Sequence, residues 1–218
     1  MVEPPKPEIS VKAFCSYAHR DEALREEFER HIAVLKHNNW VQIWHDRQIG
    51  AGEDWAGDID ENLNRADIIL LFVSADFLAS DYCYKKELSR ALERAEQKQA
   101  LVFPIIVRPC DWSDAPFAHL QAVPAGGKAV TSWTNRDEAW WDVAVSLKSA
   151  VRQAIARQKE ELVAAFLARI EASREERRTM DNMVTEADQK MWQITQNMMI
   201  NKRKGKAPDG DFGDYLRP

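Results

Sequence analysis

The chain has 218 residues, a formal net charge of -5 at pH 7 and a hydrophobic content of 45%. Its length and composition predict one soluble globular domain of about 150 residues with an extension, and its acidity argues against a nucleic-acid binder. The 3 cysteines and 5 histidines are scattered along the sequence, which argues against a disulfide framework and a metal site and favours a reducing cytoplasm. The apolar runs are shorter than the ~18–20 residues that a membrane-spanning helix needs.

Strands and helices are predicted to alternate along the first part of the chain. After a disordered leader over 1–10, the pattern predicts a strand over 11–17, a helix over 21–36, a strand over 40–44, a helix over 55–65, a strand over 68–73, a helix ending near 97, strands over 100–107 and 128–131, and a helix from 137 to about 157. This alternation indicates βαβ units, and therefore an α/β domain with a five-stranded parallel sheet and helices on both faces.

The third strand of this series is the element around which the domain is organised. Residues 68–73 are all apolar, which suits a strand that is buried on both faces of a parallel sheet. A loop from Ser74 to Ser80 is expected after it, followed by a helix that Asp81 could cap, with Glu87 about two turns into that helix. Ligands of open α/β sheets bind outside the carboxyl ends of the strands, so Glu87 is placed to meet a ligand.

The last part of the chain is predicted to be a helical extension over 158–204 with a flexible tail over 205–218. Neither glycine nor proline occurs between Gly127 and Gly205, and apolar residues recur at heptad-like spacings from Val163 to Met198. One interpretation is a single long helix that forms an intermolecular coiled coil. The other is a hairpin that turns near 173–179, which the charged run at 174–178 favours.

Four segments in the order of the strands resemble a bacterial TIR (Toll/interleukin-1 receptor homology) domain over roughly residues 10–155. They are FCSYAHRDE after the first strand, WHDRQIGAGEDW after the second, ADIILLFVSADFLASDYCYKKEL across the third, and VFPIIVRPCDW at the fourth. The resemblance implies a flavodoxin-like five-stranded parallel sheet. It also identifies the loop over 45–54 as the BB loop, which the family uses in head-to-tail assembly.

The resemblance also implies an enzymatic activity. Many bacterial and plant TIR domains, and the animal TIR protein of axon degeneration, cleave NAD+ at the nicotinamide–ribose bond with a glutamate on the helix after the third strand. That position is Glu87 here, whereas the tryptophan that the family often has four residues earlier is replaced by Cys83. The implied function is an NAD+ glycohydrolase or cyclase, activated by self-assembly in antiphage defence, with NAD+ as substrate and no cofactor.

Further residues are expected around the substrate because of the same resemblance. Arg20 is a candidate phosphate contact, with pairing to Asp21 or Glu22 as the structural alternative, and the residues beside the BB loop could close a site across a neighbouring copy. The complete set of expected substrate-binding residues is Phe14, Ser16, Tyr17, Arg20, Trp44, Asp46, Arg47, Cys83 and Tyr84.

Two other functions are compatible with the sequence. The chain could be a non-catalytic TIR adaptor or a mimic of host TIR domains, or its C-terminal helices could dock a sensor protein. The expected partners are therefore NAD+, further copies through TIR–TIR contacts and the C-terminal helices, and a sensor protein, without direct contact to nucleic acid or membrane.

Overall fold

The computed structural model describes residues 9–46, 55–80 and 86–203. Most of the predicted leader and the predicted tail over 205–218 lie outside these ranges. Among the described helices, none has an apolar stretch long enough to cross a lipid bilayer.

The described residues contain one parallel sheet of four strands. The strands are β1 (Val11–Ser16), β2 (Val41–Trp44), β3 (Ile68–Val73) and β4 (Leu101–Ile106), in the spatial order β2-β1-β3-β4. Ser16 of β1 aligns with Leu71 of β3, so the carboxyl ends of these two strands lie side by side. The predicted α/β class, with a parallel flavodoxin-like sheet, is confirmed.

Six α-helices accompany the sheet within the described ranges. They are α1 (Glu22–His31), α2 (Ala33–His37), α3 (Trp55–Arg65), α4 (Ala75–Ala79), α5 (Leu88–Glu96) and α6 (Arg136–Arg203). The single helix predicted over 21–36 is divided at Ile32, whose φ of -100° and ψ of 11° are not helical. The segment predicted as a loop after β3 contains α4, which Ser74 caps by accepting a hydrogen bond from the Phe77 N–H at 3.1 Å.

The core lies on both faces of the sheet, and β3 separates its two halves. Because side chains alternate along a strand, Ile68, Leu70 and Phe72 pack on one face with α1 and the first turns of α6. Ile69, Leu71 and Val73 pack on the other face with α3, α4 and α5. All six side chains of β3 are fully buried, as the uninterrupted apolar run predicts.

The prediction of a fifth strand over 128–131 is wrong. Val130–Ser132 form a 3-10 turn, although the Thr131 N–H still donates to the Val107 carbonyl at 3.2 Å. Beside β4, Val123 makes an isolated parallel bridge with Ile105. Pro124 has no N–H with which to extend that bridge, and Gly126 and Gly127, with φ of 69° and 67°, turn the chain away from an extended path.

The turn favoured near 173–179 is also absent, because α6 continues from Arg136 to Arg203 as one helix. The charged residues there are good helix formers, and Arg178 pairs with Glu175 one turn earlier at 3.6 Å. The chain divides into two compact units, residues 1–160 and 161–218. In the second unit, the described residues 161–203 form a helix of roughly 65 Å at 1.5 Å per residue.

Candidate active site

A cleft of about 200 Å³ opens where the first strand ends. Its walls come from the end of β1, the turn after β1, the end of β2 and the segment before α5. The lining residues are Phe14, Cys15, Ser16, Tyr17, Ala18, His19, Asp46, Ile59, Ser80 and Glu87. This is the location at which open parallel sheets bind ligands.

Glu87 forms the carboxylate wall of the cleft. It has helical backbone angles at the start of α5, and only 6% of it is exposed. Asp81, the predicted cap of this helix, lies outside the described ranges. Ser16, which is 1% exposed at the end of β1, donates its hydroxyl hydrogen to Glu87 Oε2. This hydrogen bond ties the start of α5 to the end of β1, and it fixes one carboxylate oxygen while leaving the other for a ligand.

The pKa of Glu87 is raised from 4.5 to about 7. Burial is the largest cause, because it removes the charged carboxylate from water. The hydrogen bond from Ser16 opposes this shift, whereas the negative charges of Asp46 and Asp60 add to it. Near neutral pH, the Glu87 side chain therefore exchanges between an acid and a carboxylate.

Tyr17 and Asp46 contribute further polar groups to the lining of the cleft. The Tyr17 hydroxyl donates to Glu22 Oε2 at 2.6 Å, and the Arg25 guanidinium lies 5.7 Å from the centre of the Tyr17 ring. Burial and the acidic neighbours raise the pKa of Tyr17, so its hydroxyl stays protonated. Asp46 Oδ2 lies 3.7 Å from His19 Nε2, so a protonated His19 would form an ion pair at the mouth.

Phe14 is an apolar residue of the cleft lining, and the Trp44 ring packs against it. Their rings stack with centroids 5.3 Å apart and an interplanar angle of 22°. Phe14 is fully buried and lines the cleft, whereas Trp44 is half-buried and does not belong to the lining. A planar ring in the cleft would therefore meet Phe14 rather than Trp44.

Arg20 lies outside the cleft lining. Its side chain is 80% exposed, and its Nη1 approaches Asp76 Oδ1 at 3.5 Å, rather than pairing with Asp21 or Glu22. The remaining expected site residues, Arg47, Cys83 and Tyr84, fall outside the described ranges.

A buried polar network near the cleft was missed by sequence analysis. Asp21, which is fully buried, accepts hydrogen bonds from Ser74 Oγ at 2.5 Å and from Arg108 Nε at 2.6 Å. Arg108 also contacts the carboxylate of Asp76. The positions of these residues in the sequence could have revealed the network. Asp21, Ser74 and Arg108 each follow the end of a different strand, and the carboxyl ends of parallel strands meet at one edge of a sheet.

The cleft is also lined by residues that were not expected there, namely Cys15, Ala18, His19, Ile59 and Ser80. Hydrophobic periodicity does not encode how α3 and the loops meet at the sheet edge. Among the described residues, no group of three or more His, Cys, Asp or Glu side chains is arranged to hold a metal ion.

A larger hollow of about 410 Å³ lies on the outer side of α1 and α2. It is lined mainly by charged side chains that pair with one another, such as Lys36 with Glu29 at 2.7 Å. It therefore resembles a surface groove between solvated ion pairs rather than a ligand site.

Comparison with known proteins adds two findings. A family model described as "TIR domain" matches residues 14–139, a range that includes both Ser16 and Glu87. The chain is also 52% identical over 137 residues to a protein named "Uncharacterized protein y4lF" from Sinorhizobium fredii (strain NBRC 101917 / NGR234). That alignment covers 63% of this chain and 42% of the relative, so the chain spans less than half of the relative's length.

Proposed function

Because the chain belongs to the TIR domain family, some of whose members cleave NAD+, we propose that it is an NAD+ glycohydrolase or cyclase with Glu87 as its catalytic residue. The observation that carries this proposal is the position of Glu87, whose carboxyl group is buried in the wall of a cleft at the sheet edge and held by Ser16.

Cleavage of the nicotinamide–ribose bond can be catalysed by a single carboxylate. When the C1′–N bond of NAD+ breaks, both bonding electrons leave with nicotinamide, which departs as a neutral molecule and needs no general acid. The ribose ring becomes oxocarbenium-like, and the nearby Glu87 carboxylate would stabilise that positive charge. Water then adds at C1′ and loses a proton to give ADP-ribose, or a nitrogen of the adenine ring adds there to give a cyclic product.

The size of the cleft supports a proposal for which part of NAD+ would bind there. At about 200 Å³ it is smaller than the ~300–1,000 Å³ of typical ligand sites. We therefore assign it to the nicotinamide and its ribose, with Phe14 under the ring and Ser16, Tyr17 and Asp46 around the ribose.

The rest of the nucleotide would be held at the periphery. Arg20 is the proposed exposed cation for the phosphates, and Trp44 acts through the Phe14 ring. Arg47, Cys83 and Tyr84 complete the proposed set from outside the described ranges. Family members assemble through their BB loops, so we propose that self-association of TIR units completes the site, in a cytoplasmic defence response that depletes NAD+.

The test is nicotinamide release from NAD+ by the purified full chain at high protein concentration, followed by chromatography. Glu87→Gln keeps the size of the side chain but removes the negative charge, so release should fall at least a hundredfold. Glu93→Gln is the matched control, since Glu93 is a half-exposed residue of α5 that pairs with Arg90, and this variant should behave like the parent. A parent without nicotinamide release, or a Glu87→Gln variant as active as the parent, would refute the proposal.

A second candidate is a non-catalytic adaptor that assembles with other TIR domains or with a sensor protein. The observation that favours it is the series of exposed apolar side chains along the second unit, which resembles a binding surface more than a solvated helix. Capture of a separately tagged TIR domain that is unaffected by Glu87→Gln, without nicotinamide release by the parent, would support the adaptor.

A further inference from the structure

The helix of the second unit carries a heptad pattern from 163 to 201 that is apolar except at Ser173, Arg177 and Asn201. Successive members are spaced alternately by three and four residues, which places them along one face of the helix. The members of this face, which we call the seam, are Val163, Phe166, Ile170, Ser173, Arg177, Met180, Val184, Ala187, Met191, Ile194, Met198 and Asn201.

The seam is exposed in the single chain. Phe166, Met180 and Met191 are 62%, 63% and 64% exposed, although such large apolar side chains are normally buried. The pattern spans about 5.5 heptads, which is more than the three to four heptads that indicate a coiled coil. A second helix with a matching seam would remove these side chains from water.

We propose that the seam pairs two copies of this chain in an antiparallel coiled coil, in the register that sets Met180 against the partner's Val184. This register engages the whole seam at once. Its layers, each formed twice in the dimer, pair Val163 with Asn201, Phe166 with Met198, Ile170 with Ile194, Ser173 with Met191, Arg177 with Ala187, and Met180 with Val184.

The charges beside the seam oppose the parallel arrangement. In a parallel pair in register, Arg177 would face the partner's Arg177 inside the seam. At the flanks, Arg169 would approach the partner's Arg174, and Glu176 would approach the partner's Asp181. Each of these contacts brings like charges together.

The antiparallel register removes these conflicts. Arg177 faces the partner's small Ala187, over which its aliphatic stem can lie while the guanidinium reaches water. At the flanks, Glu176 lies next to the partner's Lys190, and Arg174 lies next to the partner's Asp188.

The sizes and remaining charges of this register are also compatible. The small Ser173 faces the partner's long and flexible Met191, so this layer joins side chains that can fill the space between the helices. The two Asp181 side chains approach each other at the centre. Arg177, four residues earlier on the same helix, is placed to neutralise them.

Sedimentation equilibrium of the full chain tests whether the seam forms the dimer. The parent should be a dimer or larger, and Val184→Asp, which puts a charge in the central layer, should weaken the association at least a hundredfold. Asn182→Asp is the matched control, because position 182 lies on the opposite face of the helix. A monomeric parent at tens of micromolar, or equal association of parent and Val184→Asp, would overturn the proposal, whatever the outcome of the NAD+ assay.

Charge exchange tests the orientation. Glu176→Lys and Lys190→Glu should each weaken association roughly tenfold by creating like-charge contacts, and the double exchange should restore it. In a parallel dimer, Glu176→Lys would face the partner's Asp181 and strengthen association, which would overturn the antiparallel register. Far-ultraviolet circular dichroism of the parent and the double exchange should be the same, which controls for folding.

Discussion

Glu87 is placed so that its charge depends on pH in the neutral range. Burial raises its pKa to about 7, and the Ser16 hydroxyl limits that rise by donating a hydrogen bond that favours the charged form. The residue therefore has a desolvated carboxylate that interacts strongly with a developing positive charge, but only while it is ionised. The pH range of the proposed enzyme is therefore expected to depend on the burial of Glu87, on the Ser16 hydrogen bond and on the nearby charges of Asp46 and Asp60.

The pH profile of nicotinamide release tests this assignment. Since the proposed mechanism needs the carboxylate and the raised pKa favours the neutral acid below about 7, activity should be lost as pH falls through about 7. At pH 5 the ionised fraction of Glu87 is about one hundredth, so kcat/KM should fall roughly a hundredfold from its plateau. The measurement is kcat/KM for NAD+ from pH 5 to pH 9.

The pH profile of Ser16→Ala tests whether the Ser16 hydrogen bond lowers the pKa of Glu87. This substitution removes the hydrogen bond that lowers the Glu87 pKa, so the midpoint of the profile should move to higher pH. Ser113→Ala is the control, because Ser113 is exposed and its hydroxyl bonds only to Asp111 among the described residues. A midpoint near pH 4.5, or a Ser16→Ala profile that does not move, would contradict the assignment.

At the scale of the elements, the Asp21 network stabilises the sheet edge that carries the cleft. It connects the residues that follow β3 and β4 to the start of α1, and Asp21 has no access to water. Removal of the Asp21 carboxylate would leave the Ser74 hydroxyl buried without its acceptor and Arg108 Nε without its carboxylate partner. Such uncompensated buried groups are costly.

Asp21→Ala should therefore lower the free energy of unfolding by about 2–4 kcal/mol. Its matched control is the neighbouring Arg20→Ala, which removes an exposed side chain with one long contact and should change stability by less than about 0.5 kcal/mol. Urea denaturation followed by tryptophan fluorescence measures both, since Trp140 is buried in the core. Equal stability of the two variants would show that the network does not hold this edge.

The elements that could be predicted from sequence are those whose residues carry a strong local pattern. The apolar run of β3 and the amphipathic α1 and α5 have such a pattern, and the sheet-edge rule then places Ser16 and Glu87 at one location. The hydrogen bond between these two residues depends on how the loops close, which no local pattern encodes. The same is true of Asp21, because it stands in a charged stretch typical of a solvated turn.

Two incorrect predictions have a common physical origin. Residues 128–131 have the composition of a short strand, but Pro124 and the left-handed Gly126 and Gly127 before them prevent a continuous ladder with β4. The charged run at 174–178 resembles a solvated turn, but it lacks the glycine, proline or asparagine that would end a helix. In both cases the presence or absence of residues with special backbone requirements decided the structure, and the polarity of the segment did not.

At the scale of the whole molecule, dimerisation through the proposed seam would raise the effective concentration of TIR units and so affect activity at the proposed cleft. Pairing two chains converts the next contact between TIR units from a bimolecular encounter into one at a higher effective concentration. If NAD+ cleavage requires TIR–TIR contacts, the seam should lower the protein concentration at which cleavage begins. The seam would then regulate the enzyme without contacting its substrate.

The concentration dependence of specific activity tests this link. Nicotinamide release per molecule of parent should rise with protein concentration, and Val184→Asp should shift that rise to concentrations at least tenfold higher while reaching the same plateau. The plateau should be unchanged because Val184 belongs to the seam and not to the cleft. Asn182→Asp should follow the parent curve. A specific activity that does not change with protein concentration, or identical curves for the parent and Val184→Asp, would show that the seam does not affect catalysis. Sedimentation of the same samples would still report whether the dimer forms.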